Sequence, residues 1–246
     1  MPAEWWQGFF SGLWLDVQRR FRAERTPAEA DFIERVLQLR PQAQVLDVPC
    51  GEGRLSLELA SRGYRLTGVD ITPAVLEDAR SKAAERNLQI TWEQRDMRDL
   101  PWEGRFDGAF CFWGSFGYFD DAGNAQFLRA VARAPRPGAR FVIDLPNLAE
   151  ALLPRMREHD WWQVGDTLIL EDRRYDHVRG CIAVEWTFVQ DGKVEKKPSS
   201  MRVYTYREMC RLLEEAGFAQ CEAYSSLDGE PFQLGKRVYL VATKRE

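Results

Sequence analysis

The stretch Val45-Leu46-Asp47-Val48-Pro49-Cys50-Gly51-Glu52-Gly53 constrains this chain more than any other. It reads as a short apolar strand ending at Asp47, a tight glycine turn, and then an amphipathic helix. A second strand, 65–70, ends in another carboxylate, Asp70. That order builds a ligand site at the carboxyl ends of parallel strands. Gly51 and Gly53 let the backbone approach a ligand where a Cβ would collide. Asp70 stands where a ribose diol would offer two hydroxyl donors to a carboxylate. Asp47 precedes the glycines, where a dinucleotide would rest its pyrophosphate on the turn. A carboxylate there repels phosphate and suits a ligand bearing a cationic amino group and a sulfonium.

The same rhythm continues along the chain. Apolar runs at 44–48, 65–70, 89–94, 106–112 and 139–145 alternate with helical patterns. Strands separated by helices predict a parallel, doubly wound α/β sheet. Thr26-Pro27-Ala28-Glu29 reads as a helix start with a Thr cap, and Pro41 as its stop. Thr72 and Pro73 open another helix, with Val75, Leu76, Ala79 and Ala83 inward. The rhythm then breaks. Residues 167–176, 181–190 and 194–204 predict three antiparallel strands, turned at Arg179-Gly180 and Asp191-Gly192. Thr205-Tyr206-Arg207-Glu208 is a capping box for a helix closing at Gly217, and strands near 218–225 and 236–243 finish the chain. Before all of this, Trp5, Trp6, Phe9, Phe10, Trp14 and Phe21 are spaced as one or two amphipathic helices. They read either as plain packing or as a lid.

These motifs resemble those of class I S-adenosylmethionine-dependent methyltransferases. Val45 to Gly53 looks like their first motif and Gly68-Val69-Asp70-Ile71 their second. The likeness continues through Asp96-Met97, Phe106-Asp107-Gly108-Ala109-Phe110 and Pro137 to Asp144. It is close over Thr26 to Leu145 and loose over the last forty residues. Arg25-Thr26 ahead of the first motif is similar to the glycine N-methyltransferase-like group, which includes amino-sugar enzymes.

The resemblance implies a seven-stranded, mostly parallel sheet whose last strand is antiparallel, with the three-stranded sheet inserted after the fifth strand. It implies a cofactor-binding core over 26–150 and 205–246 and a substrate cover over 151–204, and the aromatic spacing adds a lid over 1–25. The implied cofactor is S-adenosyl-L-methionine, held by Asp47, Gly51, Gly53, Asp70, Ile71, Asp96, Met97, Phe112 and Arg25. Asp96 would accept from the adenine amino group beside the Met97 N–H. The Phe112 carbonyl would accept from the cofactor's amino group. Arg25 would clasp its carboxylate. Trp113, Phe116 and Tyr118 read as substrate-pocket walls, or equally as core. No catalytic base stands out, since methyl transfer from a sulfonium mainly requires alignment.

Departures narrow the acceptor. After the fourth strand the chain reads Phe-Trp-Gly-Ser in place of the Asn/Asp-Pro-Pro-aromatic run of nucleic-acid amino methylators. Pro146 and Asn147 stand where glycine methylators carry an arginine, so glycine itself is disfavoured. Net charge is −4 over 246 residues, which gives a phosphate backbone nothing to bind. No apolar run approaches the roughly 18 residues of a membrane span. The amino terminus does not read as a signal peptide, and five cysteines without metal spacing suit a reduced, cytoplasmic chain with no metal site. The expected partner is a small-molecule methyl acceptor rather than nucleic acid or membrane, with monomer and homodimer both open. The expected activity is methyl transfer to an N or O atom. The alternatives are an NAD(P)-dependent oxidoreductase, or a non-catalytic S-adenosylmethionine binder.

Overall fold

Apolar runs punctuated by glycine and proline become the strands of two sheets. The computed structural model describes residues 4–20 and 23–246; Phe21, one of the amino-terminal rings, lies outside them. Helices α1 (Trp6–Phe9) and α2 (Leu13–Arg20) precede α3 (Thr26–Leu37). The alternating part follows as β1 (Gln44–Asp47), α4 (Arg54–Ser61), β2 (Arg65–Asp70), α5 (Pro73–Glu85) and β3 (Thr91–Gln94). It continues through β4 (Phe106–Cys111), α6 (Asp121–Arg133), β5 (Pro135–Asp144) and a short α7 (Ala149–Leu152). Then come β6 (His159–Val164), β7 (Thr167–Asp176), β8 (Cys181–Gln190) and β9 (Lys193–Arg202). Helix α8 (Tyr206–Ala216), β10 (Phe218–Tyr224) and β11 (Tyr239–Lys244) close the chain.

The first sheet has seven strands in the order β10-β11-β5-β4-β1-β2-β3. β11 runs antiparallel to both neighbours and the other pairs are parallel. Neighbouring strand residues bury on opposite faces. Val45, Phe110 and Val142 meet Phe32, Ile33 and Leu59 of α3 and α4 on one side. Leu46, Ala109 and Phe141 meet Phe127, Met209 and Leu213 of α6 and α8 on the other. A sheet covered on both faces explains why its strands read as continuous apolar runs.

The second sheet is an antiparallel meander, β6-β7-β8-β9, of four strands rather than the three expected. Its extra strand, β6, pairs His159 to Val164 with Asp172 to Thr167. The turn Asp191-Gly192 has positive φ at both residues, as a two-residue hairpin requires. Thr205 and Glu208 form the full capping box, and Gly217 ends α8 with φ 112°. The start of α3 differs from expectation. Arg25, not Thr26, is its cap residue, and no side chain caps it. It also stops before Pro41, at a left-handed Gln38. Among the described residues no helix is long and apolar enough to cross a membrane.

Candidate functional site

Parallel pairing sets Asp47 beside Gly68 of β2 and Phe110 of β4. The carboxyl ends of β1, β2 and β4 therefore open on one edge, where the strand order reverses. Ligands of open α/β sheets bind at such a switch point. A cavity of about 570 Å³ lies there, running from the glycine turn to the inner face of the second sheet.

At the glycine turn two acids are almost completely buried. Asp47 accepts a hydrogen bond from the Ser56 hydroxyl at 2.7 Å. Burial pushes its carboxyl up to about 8, against the Ser56 hydrogen bond and the Arg54 charge; nearby Asp70 adds to the rise. Asp70 accepts from the Gly51 N–H and the Thr72 N–H, each at 2.9 Å. Burial raises its pKa as well, with those backbone donors opposing the shift. Each Asp70 oxygen retains accepting capacity, because a carboxylate offers about four lone-pair sites.

The two glycines have different reasons. Gly51 lines the cavity with φ 53°, and a Cβ there would sit 3.2 Å from the Gln18 amide of α2. Gly53 does not line it. A Cβ there would come within 2.3 Å of the Trp92 ring, so packing rather than a ligand excludes a side chain. That corrects the expectation for Gly53.

Beyond β2 and β3, Ile71, Asp96 and Met97 all line the cavity. Asp96 is engaged by its neighbour Arg98, whose Nε lies 3.0 Å and Nη2 2.6 Å from its oxygens. Burial raises its pKa, but these bonds outweigh that and the net shift is downward. Any adenine contact must share the carboxylate with Arg98. The Phe112 carbonyl already accepts from Ser115 Oγ at 3.2 Å and keeps a second lone pair.

Arg25 lies at the margin of the site, its guanidinium 5.6 Å from the ring of Trp113. It does not line the cavity; its half-exposed side chain lies 3.6 Å from Glu29. Four arginines do line the cavity, Arg54, Arg95, Arg155 and Arg173, and Arg54, at the first turn of α4, is the one beside the glycine turn. Arg54 donates to Thr26 Oγ1 at 2.6 Å and to the buried Glu29 at 2.5 Å. The Thr26 hydroxyl, read as a helix cap, serves Arg54 instead.

Trp113 has φ 71°, a conformation an L side chain rarely adopts. Its N–H donates to Asp144 at 2.8 Å and its indole to Glu29 at 3.2 Å. The guanidinium of Arg237, paired with Asp144, lies 5.0 Å from the ring and that of Arg54 5.3 Å. Trp113 and Tyr118 line the cavity, whereas Phe116 packs on Phe127 and Tyr204 in the core. For Phe116 the structure therefore favours the core reading over the pocket-wall one.

The amino-terminal rings close the far side. Trp5, Trp6, Phe9, Phe10 and Trp14 all line the cavity, and Trp5 meets Tyr118 edge-on at 5.0 Å. They dock mainly on the second sheet, where Trp14 packs on Trp186 and Phe188. A buried lysine fixes them. Lys197 Nζ donates to the carbonyls of Phe9 and Ser11 at 2.9 and 2.7 Å and pairs with Glu195 at 3.1 Å. Glu195 in turn accepts the Leu13 N–H at the start of α2, at 2.9 Å. Sequence patterns of rings do not disclose this clasp.

The fold is that of class I S-adenosylmethionine-dependent methyltransferases, and the site is similar to theirs. Residues 45–138 match the family described as methyltransferase domain. A Geobacillus sp. (strain WCH70) protein named as a methyltransferase is 26% identical over 82% of this chain and 84% of its own. The S-adenosylmethionine-dependent methyltransferase from Clostridium acetobutylicum covers 95% of this chain and 98% of that one, with TM-score 0.81 at 17% identity. A sugar N-methyltransferase from Streptoalloteichus sp. covers 94% and 93%, with TM-score 0.69 at 25% identity. Matches to ubiquinone biosynthesis O-methyltransferases span only 52–66% of those proteins.

Proposed function

We propose that this chain methylates an oxygen or nitrogen of a small molecule held between the carboxyl edge of the main sheet and the amino-terminal rings. The observation that carries this is the single cavity joining two buried acids at the glycine turn to an aromatic chamber. The residues fit the cofactor. Asp70 has free lone pairs for a ribose diol, Asp47 suits cationic charge, and Gly51 leaves the turn open. Arg54 is placed to meet a carboxylate, although Glu29 already holds one of its edges. When bound, the cofactor supplies an electrophilic methyl on a sulfonium leaving group. The chain's own residues then orient the acceptor, and its rings exclude water. The amino-terminal rings and the sheet over 151–204 serve as the cover.

A specific observation disfavours the oxidoreductase reading. Ser56 occupies the third position of the glycine pattern and binds Asp47. A pyrophosphate there would push two already raised carboxyls further up, so binding it would require proton uptake. Calorimetry with S-adenosylhomocysteine and NADH tests the choice, and tighter NADH binding would overturn methyl transfer. Binding of the former with no transfer to any acceptor would leave a non-catalytic binder.

The raised Asp47 pKa gives a pH signature. Below about 8 the carboxyl is mainly protonated in the free protein. A cation bound beside it favours the carboxylate, so binding releases a proton. Affinity for S-adenosylmethionine should rise as pH climbs towards about 8 and level off above, by at most about tenfold per pH unit. The ligand's own amino group titrates in both proteins, so Asp47→Asn is the reference. Calorimetry from pH 6 to 9 should show a flatter profile in Asp47→Asn. Parallel profiles would remove Asp47 from the cofactor's surroundings.

A further inference from the structure

Of the four arginines that line the cavity, three already hold carboxylates. Arg54 pairs with Glu29 at 2.5 Å, Arg95 with Glu93 at 3.3 Å, and Arg173 with Asp160 at 3.3 Å and with Glu171. Arg155 is the exception. Its Nε donates to the Ala151 carbonyl at 3.4 Å, and no carboxylate of the described residues pairs with its guanidinium. The acids of that end have no charge to spare. Asp160 feels the positive charge of Arg157 as well as that of Arg173, so these two arginines match Asp160 and Glu171. One positive charge, that of Arg155, is left over.

The chain fixes where that charge stands. Arg155 ends the 3-10 turn Leu153–Arg155 that continues α7. This segment is pinned at three points. The Ala149 N–H donates to the Tyr204 carbonyl at 2.8 Å, and the Glu150 carbonyl accepts the Gly235 N–H at 2.8 Å. The Glu150 carboxylate accepts the Tyr206 N–H at 2.9 Å. Leu152 and Met156, on either side of the arginine, pack against Ile182 and Val184 of β8. Arg155 lines the cavity and yet is exposed, which puts it at the solvent edge of the chamber, open to a ligand. Behind that edge the wall is apolar, with Leu152, Ile182, Val184 and Met201.

A guanidinium at the rim with hydrocarbon behind it matches a molecule that has an apolar body and one anionic end. A planar carboxylate suits the two-pronged edge of a guanidinium. A phosphate dianion would bring a second charge, which a wall that also carries Asp160 and Glu171 does not balance. An ammonium would meet Arg155 as a like charge.

We propose that the methyl acceptor is a carboxylic acid with an apolar body, its carboxylate paired with Arg155 at the rim and its body against β8. This deepens the methyl-transfer reading and rests on it. The carboxylate is a handle and takes no part in the transfer.

The test uses the full chain saturated with S-adenosylhomocysteine and probes on one skeleton, 3-phenylpropanoate, 3-phenylpropanamide and 3-phenylpropylamine. At neutral pH their ends are anionic, neutral and cationic. Calorimetry at low ionic strength should show the carboxylate bound about two- to tenfold tighter than the amide, the size of one ion pair on an exposed arginine, and the amine weakest. Salt of roughly 0.5 M should shrink that preference by screening the pair. Arg155→Gln should bring the carboxylate down to the level of the amide and leave the amide within about twofold of the parent. An arginine with a merely structural role would weaken all the probes alike. Arg155→Glu should reverse the order, with the amine tightest, and either variant stands alone should the other fail to fold. No preference for the carboxylate in the parent, a preference retained in the variants, an equal loss of all the probes, or failure of all of them to bind overturns the proposal. Tightest binding of the amine by the parent does so too. Failure of S-adenosylhomocysteine to bind instead strikes the methyl-transfer reading beneath it.

Discussion

Lys197→Met should release the amino-terminal segment from the inserted sheet while the main sheet stays folded. The ammonium is buried and caps the carbonyls of Phe9 and Ser11, with Glu195 as its counter-ion. Methionine keeps the length of the side chain but leaves those carbonyls without their donor and the partly buried Glu195 carboxylate with the Leu13 N–H and no counter-ion. Breaking one partner of a buried pair costs about 3–5 kcal/mol. Most of that cost falls on local opening, since α1 and α2 are short and helices of their length have little stability alone. Hydrogen exchange should therefore lose protection across residues 6–20 by orders of magnitude, with little change in β1, β4 and β5. Loss of cofactor-dependent activity should accompany it if the segment closes the cavity. Unchanged exchange in the variant would show that the rings, not the clasp, hold the segment.

The clasp shows where sequence reading reaches its end. Rings at 5, 6, 9, 10 and 14 announce an apolar surface, yet they carry no address for the surface they cover. The address is polar and distant, a lysine and a glutamate more than a hundred residues on, in the strand that the sequence places over 194–204. The lysine faces inward because β9 alternates, with Glu195, Lys197, Ser199 and Met201 on the face that meets β8 residues Phe188, Trp186, Val184 and Ile182. Such pairing becomes visible only once the register is known.

Elements set by local chemistry were legible. The Thr205 capping box, the Gly217 cap and the Asp191-Gly192 turn each depend on residues within a few positions of one another. The parallel strands were legible because burial on both faces writes unbroken apolar runs. β6 was not, because Trp161 and Trp162 stand side by side. One is inward and partly buried, the other exposed, and two identical residues erase the period-two contrast. In the site, position along the chain predicted Asp47, Gly51 and Asp70 at one edge. It could not distinguish Arg25 from Arg54, because the choice depends on which guanidinium lies inward of Glu29. Nor could it show that Gly53 is required by Trp92, a contact between a turn and the third strand.

Asp70→Ala should have the largest effect on cofactor binding. In the folded chain this carboxylate has two tasks. It holds the glycine turn through the Gly51 N–H and the start of α5 through the Thr72 N–H. Its remaining lone pairs are the acceptors at the end of β2 for a pair of ribose hydroxyls. Hydrogen bonds to a charged group contribute about 1.5–3 kcal/mol, so losing it should weaken S-adenosylhomocysteine binding by about 10- to 150-fold. Part of that loss would come from a loosened turn, and Asp70→Asn separates the parts. Its single amide oxygen can accept from only one flank, Gly51 or Thr72, and its amide hydrogens clash with donors on the other. The asparagine variant should therefore bind no better than a few-fold above the alanine variant. Melting curves recorded beside the calorimetry guard against a folding defect. If Asp70→Ala melts like the parent and binds S-adenosylhomocysteine with parent affinity, Asp70 serves the turn alone and the ribose is held elsewhere.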